Sequence, residues 1–373
     1  MKNWIELNSE NLRHNLSVFK NLAKEKKILF TVKANAYGHG LREIVGITKD
    51  IDSFDYYGVD SLSEALEVKK IDEGKNILIL GWLDEKDLTE AIKSEIEFVI
   101  PSIEFLLRAE DAGSGSELKG LAHLKVETGT SRLGIRPEDL LEFFKTNQLN
   151  NIEIKGIYSH FANIEDTTDH TFAMEQLNKF HKLLKEFKSE GLIRHFSCSA
   201  SALLFPETYF DMVRVGISAY GFWPSKQTYV SFTEKNGKKI ELKPVLSLKS
   251  RVAQVKKLDI GTPVSYGLTY KTYAKSVMVV IPVGYYDGYD RKLSNISNVL
   301  INGKTAPVRG RICMNMFIAD VTHIESVEES DVVTIIGKDA GEEILVDNLA
   351  ELAGTINYEF VSRLNPLLPR III

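Results

Sequence analysis

The alternation of strand-like and helix-like segments over the first 220 residues limits the fold of this chain more than any other feature. Short runs rich in β-branched and aromatic residues alternate with segments whose apolar residues recur at helical spacing, most clearly over 177–187. Eight strands separated mostly by helices predict a parallel sheet, and eight strands close a (β/α)₈ barrel. A doubly wound open sheet is the alternative, although no G-x-G-x-x-G follows the first strand. The predicted strands are 28–34, 56–59, 76–80, 97–100, 122–127, 154–161, 195–200 and 212–217.

After Tyr220 the pattern becomes mostly strands, which predicts a second domain with a small β-barrel or sandwich. The turn Asn302-Gly303 indicates a hairpin, one helix is predicted near 346–353, and the polar stretch 231–239 predicts a linker or an exposed hairpin. We therefore predict an α/β chain with a TIM-type barrel over 8–230 and a mostly-β domain over 231–373, with residues 1–7 pairing with the second domain. The predicted strands of the second domain are 245–255, 276–283, 298–301, 317–321 and 332–336.

Composition excludes several classes of function. A net charge of −5 without long charged runs argues against a nucleic-acid or anionic-membrane surface. The first residues are polar where a signal peptide needs an apolar core, and no apolar run approaches the length of a membrane span. The two cysteines, Cys198 and Cys313, form neither a disulfide framework nor a metal motif. We expect a cytoplasmic protein with no metal, nucleic-acid or membrane site.

One lysine stands at the carboxyl end of the first predicted strand. Residues 31–40 read Thr-Val-Lys-Ala-Asn-Ala-Tyr-Gly-His-Gly, and Lys33 ends the apolar run. A lysine at the mouth of a buried strand is desolvated, which favours the neutral amine that attacks carbonyls. Gly38 and Gly40 allow the backbone to approach a ligand closely. A lysine that merely extends from a strand end is the alternative. The stretch predicts a Schiff-base lysine.

Other reactive or polar residues follow later barrel strands at the same predicted end. In barrel enzymes this end carries the active site, and the loops after strands seven and eight commonly hold a phosphate. Ser199, Gly216 and Ile217 can offer a hydroxyl and backbone N–H groups to such a phosphate. A core histidine, a strand-end cap and a surface ion-pair partner are the alternative interpretations of His160, Ser199 and Arg214. The predicted cluster is Lys33, Arg132, His160, Ser199, Arg214 and Gly216.

Eight segments, in order along the chain, resemble the bacterial alanine racemases, which depend on pyridoxal phosphate. The resemblance implies an N-terminal barrel, a C-terminal β domain and a homodimer with composite active sites. It also implies racemisation of L-alanine to D-alanine, which supplies peptidoglycan synthesis. The segments are 33–40, 127–134, 158–162, 213–217, 264–267, 282–289, 310–314 and 355–359.

Inversion of an α-carbon requires one acid/base group on each of its faces. By resemblance, Lys33 holds the cofactor and serves the D-face, while Tyr266 serves the L-face from the partner subunit. His160 and Arg214 are candidates for the network that makes Tyr266 a competent base. Arg214 occupies the family position that faces the pyridine nitrogen, and arginine cannot accept a proton from the ring. The ring nitrogen is therefore expected to stay unprotonated.

Further roles follow from the resemblance alone. Tyr358 resembles the bulky residue that closes the alanine pocket. Together with Tyr37 it also resembles the residues that reach the cofactor phosphate, beside Ser199, Gly216 and Ile217. The substrate carboxylate is expected to bind Arg132 and the backbone of Met314. The residues implied along the access path to the site are Tyr285, Arg291 and Arg311.

Three positions qualify the resemblance. Asn315 stands where the family usually has aspartate, and Cys198 where relatives often have asparagine. Lys125 matches a position that is carbamylated in some relatives, where the new carboxylate orients Arg132. Two other functions stay open: a serine or broad-spectrum racemase, which Tyr358 disfavours, and a non-catalytic carrier of pyridoxal phosphate, which the second domain disfavours.

Overall fold

The computed structural model describes residues 1–187, 189–236 and 240–373. The chain forms two compact units. One contains Leu12–Ala34 and Ile44–Lys243, and the other contains Met1–Asn11, Asn35–Glu43 and Pro244–Ile373. We call them the barrel unit and the β unit. In the described ranges no helix is both long and apolar enough to cross a bilayer.

The sheet of the barrel unit is parallel throughout and confirms the predicted fold class. Counted along the chain over the described residues, its eight strands are paired in the order 7-6-5-4-3-2-1-8. Across the remaining gap the Asp211 N–H donates to Arg194 O at 2.9 Å, which brings strand 8 back to strand 7. Barrel strands 1 to 8 are Lys27–Thr31, Tyr56–Val59, Asn76–Ile79, Glu97–Ile100, Gly120–Lys125, Ile152–Tyr158, Ile193–His195 and Met212–Val215.

Helices between these strands bury one apolar face against the sheet. In Thr171–Glu186, Leu177, Phe180, Leu183 and Leu184 are buried at helical spacing, as the periodicity predicts. The inside of the barrel holds a cluster of side chains from six strands: Leu29, Tyr56, Leu78, Val99, Tyr158 and Met212. The helices lying wholly or mostly in this unit are Ser9–Ala23, Leu41–Thr48, Leu62–Ile71, Leu88–Lys93, Ile103–Gly113, Pro137–Thr146, Thr171–Glu186, Ser199–Leu204 and Lys226–Asn236.

Six of the eight predicted barrel strands extend past the carboxyl ends of the observed strands, and the first and the seventh matter most for the site. The first ends at Thr31, so Lys33 lies two residues beyond it. The seventh is Ile193–His195, and Ser199 is the first residue of the helix Ser199–Leu204. The Cys198 N–H donates to Ser201 Oγ at 2.9 Å, which caps this helix and turns the chain away from the sheet.

The β unit contains two sheets. In the larger sheet Trp4–Leu7 pairs antiparallel with Leu246–Arg251 and parallel with Arg370–Ile372. The larger sheet runs Lys304–Pro307, Asn298–Ile301, Val332–Asp339, Leu246–Arg251, Trp4–Leu7 and Arg370–Ile372, with Glu342–Ile344 on Val332–Asp339. The smaller sheet is Gln254–Leu258, Ser276–Ile281 and Phe317–Asp320. The helices are Val346–Ala353, which was predicted, and Asn357–Ser362, which was not.

The Asn302-Gly303 hairpin is confirmed, since the two flanking strands pair antiparallel and both turn residues have positive φ. The predicted strand 245–255 is in fact two strands. The Val252 N–H donates to Asp331 O and the Ala253 N–H to Val280 O, so the chain changes sheets between these residues.

The prediction of a linker or hairpin over 231–239 was wrong where the structure tests it. Residues up to Asn236 continue the helix Lys226–Asn236, and residues 237–239 lie outside the described part. Apolar Val230 and Phe232 fall among polar residues, which hid the helix from the sequence pattern. The chain passes from the barrel unit to the β unit between Lys243 and Pro244, whereas the predicted domain boundary fell at 230/231.

Candidate active site

Lys33 lies on the carboxyl side of barrel strand 1, where Val32 leads into a tight helical turn. Its side chain is 41% exposed, so it is not desolvated as the sequence predicts, and its Nζ lies 3.6 Å from an Asp60 carboxylate oxygen. Asp60 follows strand 2 and was missed by the sequence analysis. The helix cap positions it, because Ser61 Oγ accepts from the Glu64 N–H and Glu64 Oε2 accepts from the Asp60 N–H. The Ser-x-x-Glu spacing was the available signal.

The turn that follows Lys33 is left-handed. Ala34, Asn35, Ala36 and Tyr37 have φ of 54°, 54°, 52° and 53° within the helical segment Lys33–Tyr37. Left-handed helical geometry costs roughly 1–2 kcal/mol for each non-glycine residue. Such strain persists only where surrounding contacts fix the backbone, and it is often found at functional sites.

Contacts within the β unit hold this turn. His39 Nδ1 bonds the carbonyls of Ala36 and Tyr37 at 3.1 and 3.0 Å, so this nitrogen carries the proton. Arg370 donates to Gly38 O at 2.8 Å and to His39 O at 2.9 Å. A Cβ on Gly38 would lie 1.9 Å from Val361 O, which requires glycine there. Neither His39 nor Arg370 was singled out from the sequence.

His39 makes stability depend on pH. Burial lowers the pKa of His39 from 6.5 to about 4. The unfolded chain therefore binds a proton that the folded chain rejects, and stability falls as pH drops from 6.5 towards 4. We expect the free energy of unfolding of His39→Asn, whose amide can donate in place of Nδ1, to fall less than that of the wild type as the pH is lowered. The difference should be about 2 kcal/mol between about pH 7.5 and pH 5, measured by urea denaturation. An equal fall of the free energy of unfolding in both proteins would contradict this assignment.

Arg214 is buried near the end of barrel strand 8 and connects the ends of strands 6, 7 and 8. Its Nη1 donates to His195 Nδ1 at 2.9 Å, and its Nη2 lies 3.0 Å from Ser159 O and 3.1 Å from Phe196 O and His160 Nδ1. Arginine can only donate, so neutral His160 carries its proton on Nε2. Burial, followed by the charge of Arg214, holds the pKa of His160 well below its usual value and keeps the ring neutral.

Ser199 and the loop after strand 8 lie within hydrogen-bonding distance of each other. The Gly216 N–H donates to Ser199 Oγ at 3.0 Å, and Ile217 begins the 3₁₀ turn Ile217–Tyr220. Tyr220 Oη donates to Thr31 O at 2.9 Å, which connects this loop to the end of strand 1, two residues before Lys33. Tyr220 is fully buried and was not predicted.

Lys125 and Arg132 add positive charge at the same end of the barrel. Lys125 is buried at the end of strand 5. Burial, followed by the charges of Arg132, Arg214 and Lys33, lowers the pKa of Lys125 to about 8. Arg132 lies in an exposed loop closed by the Glu127 N–H donating to Ile135 O at 2.9 Å. The charges of Lys33, Arg132 and Arg214, all of which act on Lys125, make this end of the barrel electropositive.

Tyr37 and Tyr358 approach each other inside the β unit. Their ring centroids are 6.2 Å apart and their planes are tilted by 51°. Tyr358 lies on the unpredicted helix Asn357–Ser362. The left-handed turn therefore places Tyr37 beside the second residue predicted to reach a phosphate.

Tyr266 and Met314 are exposed on the β unit, at 72% and 55%. Tyr266 begins the 3₁₀ turn Tyr266–Leu268 and lines a cavity of about 740 Å³ together with Cys313. Arg311 packs on this turn, because a Cβ on Gly267 would lie 2.9 Å from its Nε. The structure places Tyr285, Arg291 and Asn315 at exposed positions of the same unit.

Comparison with known proteins identifies the family. The model of the alanine racemase N-terminal domain matches residues 7–224, and that of the C-terminal domain matches residues 245–372. The alanine racemase of Leptospira interrogans is 39% identical over 376 residues, which cover 99% of this chain and 95% of that protein.

Solved structures of alanine racemases are similar to this chain over its full length. The alanine racemase of Clostridium difficile 630 superposes with a TM-score of 0.92 at 30% identity, covering 100% of this chain and 96% of that chain. The alanine racemase of Bartonella henselae, solved with covalently bound pyridoxal phosphate, has a TM-score of 0.88 at 27% identity and full coverage of both chains. The resemblance predicted from the eight segments is confirmed. The chain belongs to the alanine racemase family.

Proposed function

We propose that this chain interconverts L- and D-alanine with pyridoxal phosphate through two acid/base groups, Lys33 and Tyr266. The observation that carries this proposal is the cluster of Lys33, Arg132 and Arg214 around Lys125 at the carboxyl end of one barrel. A phosphorylated cofactor and a substrate carboxylate both require cations and N–H donors. The donor set present fits that group, since the Gly216 N–H donates to Ser199 Oγ close to Arg214, which donates to Phe196 O.

Electron withdrawal into bound pyridoxal phosphate makes the α-proton of alanine acidic. The amine of Lys33 removes or returns this proton on the D-face, and the phenolic oxygen of Tyr266 does so on the L-face. His160 Nδ1 accepts from Arg214, so Nε2 carries the proton. We infer that this N–H donates to the Tyr266 oxygen supplied by the partner subunit. This hydrogen bond stabilises the deprotonated Tyr266 oxygen.

By resemblance to the family, Arg214 would donate to the ring nitrogen of bound pyridoxal phosphate. Two carbonyls and two histidines hold the guanidinium, so its plane cannot turn freely. Because arginine does not give up its proton, the ring nitrogen stays unprotonated. Electron withdrawal is then weaker than with a carboxylate partner, which suppresses transamination.

By resemblance to the family, the residues that would hold the phosphate of pyridoxal phosphate are Tyr37, Ser199, Gly216, Ile217 and Tyr358. A hydroxyl and backbone N–H groups at the end of a barrel are a common phosphate site. The left-handed turn and the helix Asn357–Ser362 supply the two tyrosines, whose rings lie 6.2 Å apart between centroids.

Arg132 and the backbone of Met314 bind the substrate carboxylate. Lys125 carries a carbamate that orients Arg132. A pKa of about 8 leaves part of the Lys125 amine neutral near pH 7, and only the neutral amine adds to carbon dioxide. A carbamate signal in ¹³C NMR with labelled bicarbonate, lost in Lys125→Met, tests this assignment; no signal in the wild type would reject it.

The active form is a homodimer in which Tyr266 and Met314 complete the partner's site. Both side chains are exposed on the β unit, where Ile260, Leu268 and Tyr273 are also exposed. Large apolar side chains exposed along one segment, as here over 260–273, are typical of an interface. Tyr285, Arg291 and Arg311 then line the access path to the site.

D-alanine made in the cytoplasm supplies peptidoglycan synthesis. Both cysteines of the chain are free thiols, which is typical of a reducing compartment. Formation of D-alanine from L-alanine by purified protein with added pyridoxal phosphate, followed by chiral chromatography, tests the activity. Turnover of serine without alanine would favour the broad-spectrum alternative. Bound cofactor with no turnover would favour a carrier.

Tyr358 is proposed to select alanine by size. We expect Tyr358→Ala to raise the ratio of kcat/KM for serine over that for alanine by about 10-fold or more, the discrimination expected of one small group in a pocket. The variant should also bind the cofactor less tightly. Tyr358→Phe is the matched control: it keeps the ring and the alanine preference and loses only the hydroxyl. An unchanged substrate ratio in Tyr358→Ala would remove the pocket role.

A further inference from the structure

A continuous chain of hydrogen bonds runs from Arg214 through the barrel interior. Arg214 Nη1 bonds His195 Nδ1 at 2.9 Å, and His195 Nε2 bonds His123 Nδ1 at 2.9 Å. His123 Nε2 lies 2.7 Å from Glu97 Oε2, and Tyr56 Oη lies 3.2 Å from Glu97 Oε1. All five side chains are buried. This hydrogen-bond chain joins residues of barrel strands 8, 7, 5, 4 and 2.

Strand 6 leaves room for this chain. It lies between strands 5 and 7, which carry His123 and His195. A Cβ on Gly156 of strand 6 would lie 2.4 Å from His123 Nδ1. Glycine at 156 thus allows the two imidazoles to meet across the intervening strand.

The donors and acceptors allow only one direction along the chain. Arginine can only donate, so His195 Nδ1 accepts and neutral His195 carries its proton on Nε2. That proton is donated to His123 Nδ1, so His123 carries its own proton on Nε2 and donates it to Glu97. Glu97 therefore accepts on Oε2 from His123, and on Oε1 from Tyr56.

The charges of the surrounding groups support these protonation states. Burial, followed by the charges of Arg214 and His123, holds the pKa of His195 well below its usual value, which keeps the ring neutral. Burial and the neighbouring Glu97 raise the pKa of Tyr56 above its usual value, so this hydroxyl keeps the proton that it donates.

We propose that Glu97 is a positioning residue that holds Arg214 through His123 and His195, as the anionic end of a one-directional hydrogen-bond chain. The structure gives buried Arg214 hydrogen bonds to carbonyls and imidazoles. Glu97 supplies the carboxylate of the same network. Hydrogen bonds to an ionised acceptor are roughly twice as strong as neutral ones, so the charge of Glu97 strengthens each bond back to Arg214.

Because the effect on the reaction passes through Arg214, this inference rests on the proposed role of that residue. The first measurement does not depend on that role. In the wild type without cofactor, ¹⁵N NMR of labelled histidines should show His123 and His195 neutral with their protons on Nε2. A proton on Nδ1 of either ring would overturn the proposal, with no variant needed.

The variant Glu97→Gln removes the charge and keeps the shape. We expect the NMR signals of both histidines to shift, although only His123 contacts residue 97. Glu110→Gln is the matched control, because Glu110 accepts from three backbone N–H groups at 150–152 and is not part of the hydrogen-bond chain from Arg214 to Glu97. This control should lower stability and leave both histidine signals unchanged. If only the NMR signal of His123 shifted in Glu97→Gln, residue 97 would not influence His195 and the proposal would be rejected.

The kinetics of racemisation provide the second test. At equal cofactor occupancy, Glu97→Gln should lower kcat by about 10-fold, the usual effect of removing an outer partner that orients a functional group. KM for alanine should stay unchanged, whereas Glu110→Gln should change neither constant. An unchanged kcat in Glu97→Gln would reject the positioning role. Absence of racemisation in the wild type would reject the proposed function but leave the NMR result valid.

Discussion

Lys33→Ala is expected to abolish measurable racemisation and to leave the folded barrel intact. The substitution removes the proposed acid/base group of the D-face, which alone is worth about 10²–10⁴-fold in rate, and also the amine proposed to bind the cofactor covalently. Borohydride treatment of the wild type with pyridoxal phosphate should make that bond permanent, and peptide mass spectrometry should then find the label on Lys33.

Lys27→Ala is the matched control for this experiment. Lys27 is exposed at the opposite end of the same strand, so its loss should alter neither labelling nor turnover. Label on another lysine in the wild type, or full activity of Lys33→Ala, would contradict the assignment. Loss of folding in Lys33→Ala would appear in its circular dichroism and is separated from loss of chemistry in that way.

Tyr266→Phe is expected to lower kcat/KM by about 10²–10⁴-fold without preventing cofactor binding. The change removes one phenolic oxygen from a side chain that is 72% exposed in the single chain, so packing should survive. Removal of the α-proton from L-alanine should suffer most. Exchange of the D-alanine α-proton with solvent deuterium should persist better, because Lys33 still serves that face.

Tyr273→Phe is the matched control, since Tyr273 lies on the same unit and is 81% exposed. It should behave as the wild type. Equal loss of exchange for the two enantiomers of alanine in Tyr266→Phe would reject the assignment of one base to each face.

Mixed dimers test the shared site. If each Tyr266 serves the partner's barrel, a dimer of one Tyr266→Phe chain and one Lys33→Ala chain holds both wild-type bases in one site and neither in the other. Mixing the two inactive proteins should therefore restore part of the activity. Proven mixed dimers without activity would exclude the donation of Tyr266 across the interface.

Local patterns predicted much of the barrel. Strands 2 and 4, at Tyr56–Val59 and Glu97–Ile100, have the predicted bounds, because short apolar runs between helical segments mark them clearly. Strand ends were less predictable. The residues 196–200 continue an apolar and small-residue pattern, but the cap between Cys198 and Ser201 ends the strand early. Such a choice depends on one side-chain hydrogen bond that periodicity does not register.

The order of the eight barrel strands, the family and the lysine after strand 1 followed from the sequence, because each depends on residues close together in the chain. Tertiary structure decided how those residues are held. Arg370 bonds His39 O across a sequence separation of 331 residues, and the left-handed turn between Lys33 and Gly38 depends on that contact. The direction of proton donation from Arg214 to Glu97 likewise arises only where four barrel strands bring the donors and acceptors together. A hydrogen bond between distant residues has no periodic signature, so only the folded chain reveals which partner each polar group meets.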